Sequence, residues 1–182
     1  MEDVVIVSGA RTAIGRFQGT LADVPASDLG AHVIREAVSR AGIEPGAVDQ
    51  VIMGIVGQVA EDAYLSRHST VKAGLPIETP AMNVNRICGS GLEAINTASR
   101  FIQSGDARVV VAGGAENMTR MPFYLRKARA GYRYGHQKVL DHMAFDGLEN
   151  AYDGKPMGNF ADKTAEKYGF TREQMDAYAA ES

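Results

Sequence analysis

Residues 81–105 read AMNVNRICGSGLEAINTASRFIQSG, and the change of period inside this stretch decides the fold. Ala81 to Val84 is a short segment of strand character. Beyond it, Cys88, Leu92, Ile95, Ser99 and Ile102 recur at helical spacing until Gly105 closes the run. A strand, a tight turn and a helix in that order form one step of a wound α/β layer, where ligands gather beyond the carboxyl ends of the strands. Cys88 falls in that turn.

The same alternation extends outward from this unit. Val4 to Ser8, ending at Gly9, Val51 to Val56 and Val109 to Ala112 are continuous apolar runs of the kind that strands buried on both faces require. Between the first two, Leu29, Val33, Ala37, Val38 and Ala41 keep helical spacing after a cap expected at Ser27, with Gly42 as terminator. The expected class is α/β, a mostly parallel mixed sheet covered by helices.

With 182 residues, 45% hydrophobic content, 23% charged residues and a net charge of −3, the chain has the composition of a globular protein. So small a net charge indicates no partner by itself. No leader-like or membrane-spanning apolar stretch is read, and a single cysteine forms no internal disulfide. A cytoplasmic setting is therefore expected, with no membrane partner.

Cys88 has two readings. Free cysteine commonly serves as a small buried hydrophobe, but a thiol at a helix N-terminus meets unpaired N–H groups and the positive end of the helix dipole, which favour a thiolate and a developing oxyanion. Gly89 and Gly91 each cost about 1 kcal/mol relative to alanine inside a helix. That cost is understandable where another backbone or a substrate comes close.

The stretch Asn85-Arg86-Ile87-Cys88-Gly89-Ser90-Gly91 resembles the nucleophile signature of the thiolases, the family of acetyl-CoA acetyltransferases and 3-ketoacyl-CoA thiolases. The match continues through Leu92, Ala94, Ile95 and Ile102. Three further stretches follow the family's order: Val7-Ser8-Gly9-Ala10-Arg11-Thr12-Ala13-Ile14-Gly15, Gly113-Gly114-Ala115-Glu116-Asn117-Met118, and Met157-Gly158 leading into Thr164-Ala165-Glu166. The resemblance implies thiolytic cleavage or Claisen condensation of 3-ketoacyl-CoA through an acyl-enzyme on Cys88. Coenzyme A thioesters enter as substrates, with no cofactor and no metal. It also places Leu148 and Met157 against the pantetheine arm and the reacting acyl group. The family commonly has a histidine before that methionine, where this chain has Pro156.

The composition changes after residue 117. From Asn117 to Leu140 the chain carries Arg120, Arg126, Lys127, Arg129, Arg133 and Lys138 with no acidic residue, interleaved with Tyr124, Tyr132 and Tyr134. Such a block suits a nucleic acid or a solvated loop. The resemblance implies a third reading, a loop excursion over the active site that joins the oligomer and offers a cationic surface to coenzyme A phosphates, and no nucleic acid partner. The expected domains are residues 1–117, with the nucleophile, and residues 118–182, part of a loop domain. Thr171-Arg172-Glu173-Gln174 has the form of a capping box, and no helix terminator precedes Ser182, so the sequence reads as cut.

The family's other catalytic groups lie in Asn-Glu-Ala-Phe, Gly-His-Pro and Cys-x-Gly stretches of its second half, and none of these occurs here. His32, His68, His136 and His142 are not assigned as the missing base. The resemblance therefore implies an N-terminal half that works with a C-terminal half, as a separate chain or a further segment, in a homo- or hetero-oligomer. Arg11, Glu116 and Asn117 lie inside matching motifs, and Glu116 fits a structural role at a strand end as well as a catalytic one. Two alternatives stand beside the thiolase reading. One is a condensing enzyme of the ketoacyl synthase or hydroxymethylglutaryl-CoA synthase type, against which the residues around Cys88 argue; the other is a non-catalytic binding module with the same fold.

Overall fold

The computed structural model describes residues 3–182, so the first two residues of the expected N-terminal domain lie outside the described part. The chain divides into a first unit that ends at Pro122 and a second, Phe123–Ser182, five residues beyond the boundary expected from composition.

The first unit is built around β1 (Gln50–Gly54), which pairs in parallel with β2 (Ala81–Val84) on one side and β3 (Val110–Gly114) on the other. Helices α1 (Ala26–Arg40) and α2 (Leu65–Ala73) cover one face, and α3 (Ser90–Ser104) covers the other. The period-2 geometry of a strand divides β1 between them. Val51 and Met53 pack with Ala26, Ile34 and Leu65, while Ile52 packs with Ala94 and Ala98. Burial of both faces explains the unbroken apolar run that marks this strand.

Two expectations are corrected. Val4 to Ser8 forms no strand, and Val5, Ile6 and Val7 are exposed, Ile6 by 82%. An apolar run becomes a strand only when a neighbour takes its N–H and C=O groups, and among the described residues no ladder reaches this run. Ser27 is not the cap of α1, because Pro25 holds that position. Ser27 is instead buried. Its N–H donates to Asp62 Oδ1 (3.3 Å), its carbonyl accepts from Ser69 Oγ (3.1 Å) and its hydroxyl accepts from Lys72 Nζ (2.9 Å), tying α1 to α2.

The second unit holds the antiparallel pair β4 (Phe123–Leu125) and β5 (Val139–Asp141), a π-helical turn Met143–Leu148, and helices α4 (Met157–Tyr168) and α5 (Arg172–Glu181). The capping box of α5 is formed, with Thr171 Oγ1 accepting from the Gln174 N–H and the Gln174 side chain accepting from the Thr171 N–H. Among the described residues no helix is long and apolar enough to cross a membrane.

Candidate active site

Beyond β2 the chain turns sharply, and side-chain and backbone hydrogen bonds hold the turn. Asn85 Oδ1 accepts from the Ile87 N–H (2.9 Å), while Asn85 Nδ2 donates to the Val56 carbonyl (3.3 Å) just past β1. Ser90 Oγ accepts from the Arg86 N–H (2.9 Å) and donates to the Ile87 carbonyl (2.6 Å). Ile87 is thereby held at φ +50°, in the left-handed region. A β-branched residue is a true outlier there, and such conformations cost about 1–3 kcal/mol. Gly89 caps α3 without a side-chain bond, so Ser90, the first helical residue, turns its hydroxyl backwards onto the turn.

Cys88 lies two residues ahead of the first turn of α3, with its thiol free and exposed. The Gly89 and Ser90 N–H groups donate to the Arg86 and Ile87 carbonyls (both 3.0 Å), and Cys88 forms an isolated parallel bridge with Arg86. The helix start is pressed onto the end of β1: a Cβ on Gly54 would lie 2.6 Å from the Ser90 carbonyl carbon and 2.7 Å from Gly91 N. The backbone that comes close to this turn is that of Gly54, whose place at the end of an apolar run gave no sign of it, and a Cβ on Gly89 would meet the Arg86 carbonyl oxygen at 3.3 Å. Gly91 faces open space within the chain. Glu93, in the first turn of α3, pairs with Arg86 (3.3 Å) and Arg100 (3.2 Å).

The neighbouring motif residues fix loops. Glu116, just past β3, accepts from the Val56 and Gly57 N–H groups (2.9 and 3.1 Å) through its carboxylate. Asn117 Nδ2 donates to the carbonyls of Leu21, Ala22 and Val24, and its Oδ1 accepts from the Thr119 N–H. Arg11 bonds only locally among the described contacts, to the Thr12 carbonyl. Gly57, Glu61, Asp62, Glu116, Asn117 and Arg120 line a cleft of about 100 Å³. That is too small for a thioester substrate, since ligand pockets run to roughly 300–1,000 Å³. Among the described residues no group of three or more His, Cys, Asp and Glu side chains could hold a metal ion.

Leu148 and Met157 both belong to the second unit. Leu148 ends the π-helical turn and Met157 opens α4; both are partly exposed. Glu149 and Pro156 form an antiparallel bridge, and the Asn150 N–H donates to the Lys155 carbonyl (2.9 Å). This closes the loop between them and brings the chain at Leu148 alongside the chain at Met157. Pro156 serves as the N-cap residue of α4, where the missing N–H leaves no intrahelical bond unmade.

The four histidines are dispersed. His32 on α1 and His136 are exposed, and His68 Nδ1 is bonded to the Glu61 carbonyl (2.9 Å). His142 is the most enclosed, its side chain 14% exposed and its Nδ1 2.6 Å from Asp146 Oδ2.

Comparison with known proteins agrees with this geometry. The family model for the thiolase N-terminal domain matches residues 4–182. The chain is 49% identical over 182 residues to an acetyl-CoA acetyltransferase of Pseudomonas aeruginosa and 48% identical over 182 residues to one of Cupriavidus necator, in each case covering 100% of this chain and 46% of the relative. A probable acetyl-CoA acyltransferase of Staphylococcus aureus is 41% identical over the same share of both. The chain spans about half the length of the curated relatives it matches. A parallel sheet with helices on both faces, a thiol in the turn beyond β2 and a family match over nearly every residue lead to one conclusion: the chain belongs to the thiolase family.

Proposed function

We propose that this chain carries the acyl-accepting part of an acyl-CoA:acetyl-CoA C-acyltransferase. In the condensing direction the Cys88 thiolate attacks the thioester carbonyl carbon of an acyl-CoA. The tetrahedral oxyanion collapses, the bond to coenzyme A sulfur breaks, and coenzyme A leaves with a proton, leaving the acyl group on Cys88. The carbanion formed by removing a proton from acetyl-CoA then attacks the acyl carbon and releases Cys88. Thiolytic cleavage runs the same steps in reverse. The Cys88 N–H, at the start of the helix, is a candidate donor for the oxyanion. Leu148 and Met157 are the candidate contacts of the pantetheine arm and acyl group.

The observation that carries this reading is the exposed Cys88, held at the carboxyl ends of the parallel strands by a turn that keeps a strained conformation. Proton transfer needs further groups, and none of the four histidines is assigned that role. In this reading they come from a second segment similar to the C-terminal half of the family, joined in an oligomer. A nucleophilic thiol suits a reducing compartment, which makes the cytoplasm the proposed setting.

Intact-mass measurement after incubation with acetyl-CoA tests the proposal. One acetyl group is expected on Cys88, and none on a Cys88→Ala variant. Acetoacetyl-CoA cleavage by the chain alone is expected to lag by about 10²–10⁴-fold for each absent acid or base. Binding of acetyl-CoA without acetylation, whether or not a C-terminal half is supplied, would overturn the enzymatic reading in favour of a binding module.

A further inference from the structure

His142 lies outside every motif that marks the family resemblance, yet the second unit builds a polar cluster around it. Its Nδ1 is 2.6 Å from Asp146 Oδ2, four residues on across the π-helical turn. A carboxylate accepts hydrogen bonds only, so Nδ1 carries the proton and the ring's tautomer is fixed. The Tyr124 hydroxyl, on β4, lies in the field of the same carboxylate, and its ring packs edge-on to His142 at 6.3 Å. Burial together with the Asp146 charge raises the Tyr124 phenol above its ordinary value and keeps it a donor. The Arg126 charge opposes that rise; its guanidinium lies over the Phe145 ring at 4.4 Å from its centre, and its carbonyl accepts from the Tyr132 hydroxyl. The Met143 N–H is fixed by Asp141 Oδ1 (2.9 Å). The contacts reach the turn from β4, from the end of β5 and from within it.

What the cluster holds is informative. Single-turn π-helices are rare and gather at functional sites. This one ends at Leu148, and the Glu149–Pro156 bridge lies immediately beyond it. The position of Leu148 beside the start of α4 therefore depends on a wide turn with little regular support of its own.

We propose that Tyr124, His142 and Asp146 form a positioning clasp, in which the His142–Asp146 hydrogen bond and the Tyr124 ring and hydroxyl beside it hold the π-helical turn and so set Leu148 against Met157 as one wall for the pantetheine arm and acyl group of a coenzyme A thioester. The inference rests on the proposed function for the identity of that ligand. It does not rest on it for the clasp. His142 and Asp146 are positioning residues in this reading; they act through Leu148 and move no proton of the reaction.

The test is a set of full-length variants, Tyr124→Phe, His142→Ala, His142→Gln and Asp146→Asn, read in two ways. Amide exchange reports the turn. Exchange at residues 144–149 is expected to speed up in Tyr124→Phe, His142→Ala and Asp146→Asn, with α4 and α5 unchanged, and to return toward the parent rate in His142→Gln, which keeps a donor. Acetylation of Cys88 by acetyl-CoA reports the wall. The half-saturating concentration is expected to rise about tenfold, the equivalent of one good hydrogen bond, with the maximal rate held within about twofold. Unchanged exchange and half-saturation in all variants would overturn the clasp. So would a fall in maximal rate at constant half-saturation, which is the mark of an acid or base. If the parent chain accepts no acetyl group, with or without a C-terminal half supplied, the proposed function fails, and amide exchange still decides the clasp.

Discussion

At the scale of single residues, the turn before α3 combines a conformation that no isoleucine prefers with two polar side chains that make it unavoidable. Ser90 is the simpler of the two to test. Ser90→Ala strips the Arg86 N–H of its partner and leaves the Ile87 carbonyl with the Ser90 N–H alone, which should lower stability by about 1–2 kcal/mol and slow iodoacetamide alkylation of Cys88 several-fold, as the turn relaxes. Ser90→Thr should restore both. An unchanged alkylation rate in Ser90→Ala would show that the turn does not depend on this hydroxyl. Asp49, just ahead of β1, gives a prediction in pH. The Arg108 N–H and then the Val109 N–H hold its carboxyl below the ordinary carboxylate value, through bonds of 2.7 and 3.0 Å that join the start of β1 to the start of β3. A depressed value means stability that is present above the unfolded value and lost as pH falls through the folded one. Asp49→Asn should cost about 1 kcal/mol at neutral pH, the low end for a charged acceptor because solvent screens it, and urea midpoints of variant and parent should converge as pH falls below the ordinary carboxylate range. A constant difference across that range would mean that the charge contributes nothing. The place of Cys88 in the turn before α3 and the structural role of Glu116 were legible in the sequence because glycine spacing and a strand end are local signals. The φ of Ile87, the backward bonds of Ser90 and the contact at Gly54 were not, because each arises from where a distant segment comes to lie.

At the scale of elements, α3 shows what periodicity reveals and what it leaves out. The spacing predicts a helix with an apolar face through Leu92 and Ile95, and the helix forms, but it meets the sheet on another face, with Ala94 and Ala98 buried and Phe101 partly so. Small residues at i and i+4 let the helix approach Ile52 closely, and Leu92 is left 65% exposed, with Ile95 exposed beside it. A helix that is apolar on more than one side is made for a buried place, so the second face is the part of this element that calls for cover. Leu92→Lys together with Ile95→Lys should therefore change the chain's own unfolding free energy by no more than about 0.5 kcal/mol for each site. Ala94→Leu, which overfills the joint with the sheet, should cost about 1–3 kcal/mol. Chemical denaturation of the two variants separates the faces, and a large loss in the lysine variant would show that Leu92 and Ile95 are already packed. The exposed run from Val4 to Ser8 teaches the same lesson for strands. Its composition states a preference for burial, but pairing depends on a partner that composition cannot name.

At the scale of the whole molecule, the two units differ in what holds them. The first has continuous clusters on both faces of β1 and buries Val51, Ile52, Met53 and Leu65 almost completely. The second contains no buried residue between Phe123 and Ser182, and its aromatic side chains Tyr134 and Tyr152 are almost fully exposed. Composition anticipated this difference: the stretch after residue 117 is basic and poorly periodic, so it lacks the apolar spacing from which a core is built. Two short antiparallel strands are marginal without a packed face, and helices of 12 and 10 residues gain little from propensity alone. Local opening free energies follow such packing. Amide exchange at neutral pH should accordingly be at least about a hundred times faster, relative to intrinsic rates, in α4 and α5 than in β1, and brief proteolysis should cut within residues 123–182 while leaving the sheet intact. Saturating acetyl-CoA should slow exchange in the second unit if Leu148 and Met157 contact it, since a ligand stabilises the part that it binds. Equal protection of α4 and β1 in the free chain would show that the second unit draws its stability from packing that its exposed surface does not reveal.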